Sequence, residues 1–179
     1  MKANQWPRRG REASIRDVTE QDLLAVQAIN EESVPAMNSL SVRRLRWFLR
    51  EAEYFRVAES RSQVAGFLIC MAPEAPYASP NFRWLNERYR NLLYIDRVAV
   101  ASGFQRCGIG SALYRDASRK AGDRFRMFAA EVNVRPMNER SLRFHRLLGF
   151  EGVGMRDHGY VKVQYLVRPL PLQTAPSGR

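Results

Sequence analysis

The sequence predicts an α/β fold of the α+β kind, with one mixed sheet flanked by helices. Three observations predict it. Apolar runs of strand length alternate along the chain with stretches of helical periodicity, and helix-start and helix-stop residues stand at the ends of those stretches. The 179-residue length suits one compact domain with a full core. Taken in order the elements read β-α-α-β-β-β-α-β-α-β-β, about seven strands with about four helices on the faces of the sheet.

Ser14 to Val18 reads as a short strand. Thr19 followed three residues later by Asp22 is a helix-start signature, because each side chain can bond the other residue's amide, and it precedes Leu23, Leu24, Val26, Ala28 and Ile29. Ser41 starts a second helix in the same way, with Leu45, Phe48 and Leu49 on its buried face. Tyr54 to Glu59 and Gln63 to Met71 are strands joined by the polar turn Ser60 to Ser62. Pro73 to Asn91 carries three prolines and the aromatics Tyr77, Phe82, Trp84 and Tyr89. A connection this long in a small domain points to function, so a lid or substrate loop is predicted, with one helical turn around Phe82 to Tyr89. Leu92 to Val100 is dense in Leu, Ile, Val and Tyr and suits a central strand buried on both faces. A helix is predicted from Gly108 to Gly122, a strand from Met127 to Val132, and a helix from Asn138 to Leu148 closed by Gly149. Glu151 to Met155 and Tyr160 to Val167 form a hairpin around Asp157, His158 and Gly159. The ends 1–12 and 169–179, rich in Pro, Gly, Arg and small polar residues, read as mobile tails, which leaves 13–168 as the domain.

Composition narrows the function. The longest purely apolar run, Val64 to Ala72, is less than half of the ~20 residues a bilayer-spanning helix needs, so no membrane partner is expected. No apolar segment follows the basic residues of the N-terminus, which excludes a secretory signal there and makes a cytoplasmic location the expectation. Two cysteines, Cys70 and Cys107, cannot build a disulfide framework, and with two histidines no metal site is expected. The net charge is +11, and 24 basic residues against 17 acidic ones leave +7 on residues 13–168. Such a balance concentrates anions. The basic residues, 26 of them arginine, are spread through the helical stretches, so a dedicated nucleic-acid face is not expected.

The segment from Asp96 runs D-R-V-A-V-A-S-G-F-Q-R-C-G-I-G-S-A-L-Y: a buried strand, a polar glycine-containing turn, then a helix. Amides at a helix N-terminus lack helical acceptors and carry the positive end of the dipole, so Arg106 to Ala112 can collect a pyrophosphate. Gly108 and Gly110 would let its oxygens approach the backbone. A nucleoside triphosphate loop is excluded, because Gly110 is followed by Ser111 with no lysine. A dinucleotide fold would use Glu131 on the ribose, but Leu113 stands where its third glycine belongs and too little chain follows for further βαβ units.

These residues resemble the GNAT superfamily of acyl-CoA-dependent N-acyltransferases. Gln105, Arg106, Cys107, Gly108, Ile109 and Gly110 match its cofactor motif; Asn138, Ser141, Phe144, His145, Gly149 and Phe150 match a second motif at the usual separation. The resemblance covers about 13 to 168, and the aromatic 73–91 insertion with F-H-x-x-L-G-F is similar to a bacterial subgroup of acetyltransferases. It implies a mostly antiparallel sheet splayed at strand 92–100, acetyl-CoA as cofactor, and direct transfer of the acetyl group to the amine of an acceptor. Val98, Ala99 and Val100 would face the pantetheine arm, with Gln105 to Ser111 on the pyrophosphate and Asn133 and Asn138 as further amide partners. An amide aimed at the thioester oxygen would stabilise the oxyanion.

The amine must lose a proton to attack, and Asp96 and Glu131, near the sheet centre, are the candidate acceptors; each could equally form a structural ion pair. His145 stands where the family commonly has a tyrosine that protonates the leaving thiolate. An imidazolium of pKa about 6.5 is a competent donor, so His145 is the candidate acid, with Tyr160 or water as alternatives. Asn138 also suits a helix cap. Cys107, beside Arg106 at a helix start, has no Cys-His-acid set to make it a nucleophile. The rival reading is a noncatalytic acyl-CoA-binding module. The body charge disfavours a polycationic acceptor and favours a small neutral or acidic amine. A C-terminal edge strand would offer a homodimer interface.

Overall fold

The computed structural model describes residues 13–171, so the tail expected over 1–12 lies outside the described residues, as does 172–179. The elements are β1 (Ser14–Asp17), α1 (Leu23–Glu31), α2 (Val42–Glu51), β2 (Tyr54–Ser60), β3 (Gln63–Met71), α3 (Pro80–Arg88), β4 (Leu92–Val100), α4 (Ile109–Ala121), β5 (Met127–Arg135), α5 (Glu139–Leu147), β6 (Glu151–Asp157) and β7 (Lys162–Pro169). They form one seven-stranded sheet in the order β1-β2-β3-β4-β5-β7-β6. Every neighbouring pair is antiparallel except β4 with β5.

Local chemistry sets most element ends. Thr19 donates its amide to Asp22 Oδ2 at 2.8 Å, capping a short 3-10 turn that leads into α1. Ser41 Oγ accepts the amide of Arg44 and starts α2. Arg61 and Ser62 take positive φ in the two-residue turn that joins β2 to β3. The largest departure from expectation lies in 73–91. Ser79 accepts the amide of Phe82, Pro80 occupies the first turn, and a full helix, α3, follows where a single turn was expected. Among the described residues the sheet is therefore flanked by five helices. At the other end the domain does not stop at 168: β7 runs to Pro169, Leu170 is buried, and its amide donates to Arg126 O at 2.8 Å.

Strand alternation divides the core into two. On one face Leu93, Ile95, Phe128, Ala130 and Val132 pack with Leu113, Tyr114 and Ala117 of α4. On the other, Leu92, Tyr94, Ala129 and Tyr165 pack with the α1, α2 and α3 residues Val26, Phe48 and Leu85. Among the described residues no helix is long and apolar enough to cross a membrane.

The parallel pair is what shapes the molecule. β4 and β5 are in register only at Leu92 with Met127, Leu93 with Phe128 and Tyr94 with Ala129, after which they part. The divergence begins at a β-bulge. Cys70 opposes Ile95 and Ile69 opposes Arg97, so Asp96 is an extra residue on β4. A bulge of this kind bends its strand and re-aims the side chain it inserts. Beyond it, β4 bonds only to β3 and β5 only to β7, and a cleft opens between them.

Candidate active site

Two carboxylates lie on the α1–α2–α3 face of the sheet at this divergence. Alternation places Glu131 on the same side as Ala129, and Tyr94 OH reaches both its oxygens, at 2.8 Å and 2.7 Å. Asn81 Nδ2 of α3 donates to Oε1 at 3.2 Å. Burial raises the Glu131 carboxyl from its ordinary value to about 7; the two hydrogen bonds oppose that rise and the charge of Asp96 adds to it. A carboxylate poised near neutrality can take a proton and give it up again.

Asp96 is differently placed. Its side chain is 3% exposed and is held by Arg97 Nε at 2.7 Å and by the Tyr77 hydroxyl. Arg97 in turn donates to Asn30 Oδ1 at 2.9 Å and Asn38 O at 3.3 Å, and Tyr77 packs on Trp47, Phe48, Phe82 and Tyr94. Of the two readings open for Asp96, the geometry is that of the ion pair: both oxygens are committed. The pair ties the connection between α1 and α2 and the segment before α3 to the bulge.

His145 does not join them. It lies on the opposite face with Tyr114 and Phe150, 3% exposed. Its Nδ1 is 2.8 Å from Ser141 O, which can only accept, so Nδ1 carries the proton. Nε2, 2.8 Å from Tyr114 OH, must then accept the tyrosine's hydrogen. Burial lowers the imidazole to about 4, so it is neutral at pH 7. The expectation of His145 as the acid is corrected on these grounds: its one proton is spent on a carbonyl inside the core. Tyr160, the alternative, is 97% exposed at the tip of the β6–β7 hairpin.

The turn before α4 has the expected form. Arg106 (φ 61°) and Gly108 (φ 79°) take left-handed conformations that swing the chain into the helix. None of the amides of residues 106–111 bonds to another described residue, and those of Ile109, Gly110 and Ser111 fall in the first helical turn, where no helical acceptor exists. Arg106 is exposed, Cys107 is a half-buried free thiol, and Ile109 and Ser111 are buried. These amides and Arg106 suit a pyrophosphate. Gly110 has another reason to be glycine: a Cβ there would meet Phe144 Cζ at 3.0 Å, so it permits the approach of α5 to α4. Gln105 turns inward, Nε2 donating to Val100 O at 3.3 Å. Val98, Ala99 and Val100 lie on the part of β4 that faces the cleft without a β5 partner. Asn133 reaches Ala36 O at 3.5 Å, and Asn138 caps α5 by accepting the Ser141 amide at 3.1 Å.

Sequence reasoning missed Tyr94, Asn81, Tyr77 and Arg97. Tyr94 and Arg97 flank Asp96 at short range, but only the bulge reveals where they point. For Asn81 the sole signal was the unusual length of its segment.

Residues 21–150 match the model of the acetyltransferase (GNAT) family. No curated protein matches the chain significantly. Among solved structures the chain is similar to Ard1 from Thermoplasma volcanium, with TM-score 0.72, 21% identity, and 89% of this chain and 98% of that one covered. It is similar also to the ribosomal-protein-S18-alanine N-acetyltransferase from Escherichia coli, with TM-score 0.70, 16% identity, and 94% and 99% covered. The ribosomal-protein-alanine N-acetyltransferase from Brucella melitensis gives TM-score 0.66, 24% identity, and 88% and 99% covered. At these identities the likeness is one of fold.

Proposed function

The chain belongs to the acetyltransferase (GNAT) family, and from that premise we propose that it transfers an acetyl group from acetyl-CoA to the amine of a small neutral or acidic acceptor, with Glu131 removing the amine's proton. The observation that carries this reading is the carboxylate of Glu131, half-buried where β4 and β5 part, held by Tyr94 and Asn81, and raised to about 7. When bound, acetyl-CoA supplies the acetyl group as an activated thioester. The amides of residues 106–111 with Arg106 would hold its pyrophosphate, and the free edge of Val98 to Val100 its extended arm. Asp96 anchors the walls of the acceptor side and is not the base. His145 secures α5 against α4 through Tyr114. Both cysteines are free, in keeping with a reducing cytoplasm.

Isothermal titration with acetyl-CoA, using NAD as control, tests the cradle. Binding of acetyl-CoA alone is expected, and binding of neither overturns the reading. An amine panel assayed for CoA release then separates an enzyme from a noncatalytic binding module, which would bind and release nothing. With any amine that is turned over, Glu131→Gln is expected to keep acetyl-CoA binding and lose roughly 100-fold or more in kcat. Unchanged kcat removes Glu131 from the reaction.

A further inference from the structure

Asn81 is the second residue of α3, the helix carried by the 73–91 segment, and its carboxamide is used at both ends. Nδ2 donates to Glu131 Oε1 at 3.2 Å, while Oδ1 accepts from Tyr165 OH at 2.9 Å and lies 3.0 Å from His158 Nε2. The amide cannot turn over without setting its oxygen against a carboxylate oxygen. Because Oδ1 accepts, His158 Nε2 carries a proton. Tyr165 is itself paired across β5 and β7 with Glu131 and lies stacked on Trp84, so the partners that orient Asn81 are held by the sheet and by α3.

The groups that face Glu131 come from every element around it. β4 supplies Tyr94, which touches the carboxylate, and Asp96, whose charge is held by Arg97 and by Tyr77 of the segment before α3. Tyr165 of β7, Arg156 of β6 and His158 of the hairpin stand beyond Asn81. Among the described side chains only Tyr94 and Asn81 donate directly to the carboxylate. Each such donor favours the ionised form that can accept a proton.

We propose that Asn81 is a positioning residue for the transfer reaction: its side-chain amide, itself oriented by Tyr165 and His158, holds Glu131 ionised and aimed in the cleft, so that the 73–91 segment is part of the machinery and not only a cover. This rests on Glu131 as the proton acceptor. Loss of the Asn81 amide makes ionised Glu131 harder to form, and Asn81→Asp replaces a donor by a like charge.

The test needs no acceptor. The full chain, labelled with carboxyl-13C glutamate, is titrated by NMR from pH 4 to 10 as wild type, Asn81→Ala and Asn81→Asp, with Glu131→Gln identifying the resonance. The Glu131 midpoint is expected to rise by about one pH unit in Asn81→Ala and further in Asn81→Asp. Asn81→Asp keeps the shape of the side chain and serves where the alanine variant fails to fold. An unmoved midpoint overturns the proposal. With an amine that the wild type acetylates, the pH profile of kcat/KM should move with the midpoint; a loss equal at every pH marks a merely structural residue and overturns it too. Full transfer by Glu131→Gln overturns the base reading, and with it the catalytic meaning of Asn81, even where the midpoint moves. An unmoved midpoint beside an inactive Glu131→Gln overturns Asn81 alone.

Discussion

Two acids on one strand pair, Asp96 and Glu131, acquire different properties from their surroundings. Glu131 is half-buried and desolvated, with two neutral donors and, among the described residues, no ion-pair partner, so the cost of its charge is only partly offset, and its pKa is raised to about 7. Asp96, its side chain only 3% exposed, has a guanidinium at 2.7 Å. The activity of an enzyme using Glu131 rises with pH and levels off above about 7, because the base must be ionised. Asp96→Asn separates the two roles. It removes one partner of a buried ion pair and should cost roughly 3 kcal/mol in urea unfolding. It also removes a negative charge near Glu131, so the kcat/KM profile should move to lower pH while transfer persists. Abolished transfer in a folded Asp96→Asn protein would make Asp96 the base instead.

Among the elements, β4 carries most of the design. Its first residues pair with β5, Tyr94 pairs with both neighbours, the bulge at Asp96 bends it, and its last residues leave β5 to form a wall of the cleft. Gly66 on β3 is needed for that course. A Cβ there would lie 2.8 Å from Ala99 O, 3.2 Å from Ile109 Cγ2 and 3.3 Å from Val100 Cα. The first and third of these are backbone atoms of β4, which cannot turn aside. Gly66→Ala is therefore expected to destabilise by about 1 to 3 kcal/mol, with weaker acetyl-CoA binding because the displaced strand leads into the loop; calorimetric melting and the acetyl-CoA titration check both. A variant as stable as the wild type shows that β4 has room to shift. α3 is the second element of consequence, since the helical segment that closes over the sheet also delivers Asn81 to the carboxylate.

For the whole molecule, two desolvated titratable groups on opposite faces of the sheet give stability opposite slopes in pH. His145 falls from about 6.5 to about 4 on folding, so its contribution is fully present above pH 6.5 and is lost as pH falls toward 4. Glu131 rises from 4.5 to about 7, so its contribution is fully present below pH 4.5 and is lost as pH rises through 7. Each amounts to about 3 kcal/mol. Urea unfolding of Glu131→Gln should show the variant gaining on the wild type as pH rises from about 4.5 to about 7 and levelling off above, stability that the ionised base costs the native protein. His145→Phe should lack the wild type's loss between pH 6.5 and 4, at the expense of an unpaired Tyr114 hydroxyl; an unchanged slope would place the acid sensitivity elsewhere. By itself, the sequence determined the alternation of strands and helices, most of their caps, the glycine-containing turn into α4 and the family resemblance, because periodicity, capping and turn chemistry act between residues a few positions apart. Only the tertiary structure decided that His145 faces the core, that Asp96 is a bulge residue clamped by Arg97 and Tyr77, and that Asn81 meets Glu131. Each of these depends on which strand lies beside which and on which face a side chain emerges, and those are settled by contacts between segments far apart in the chain.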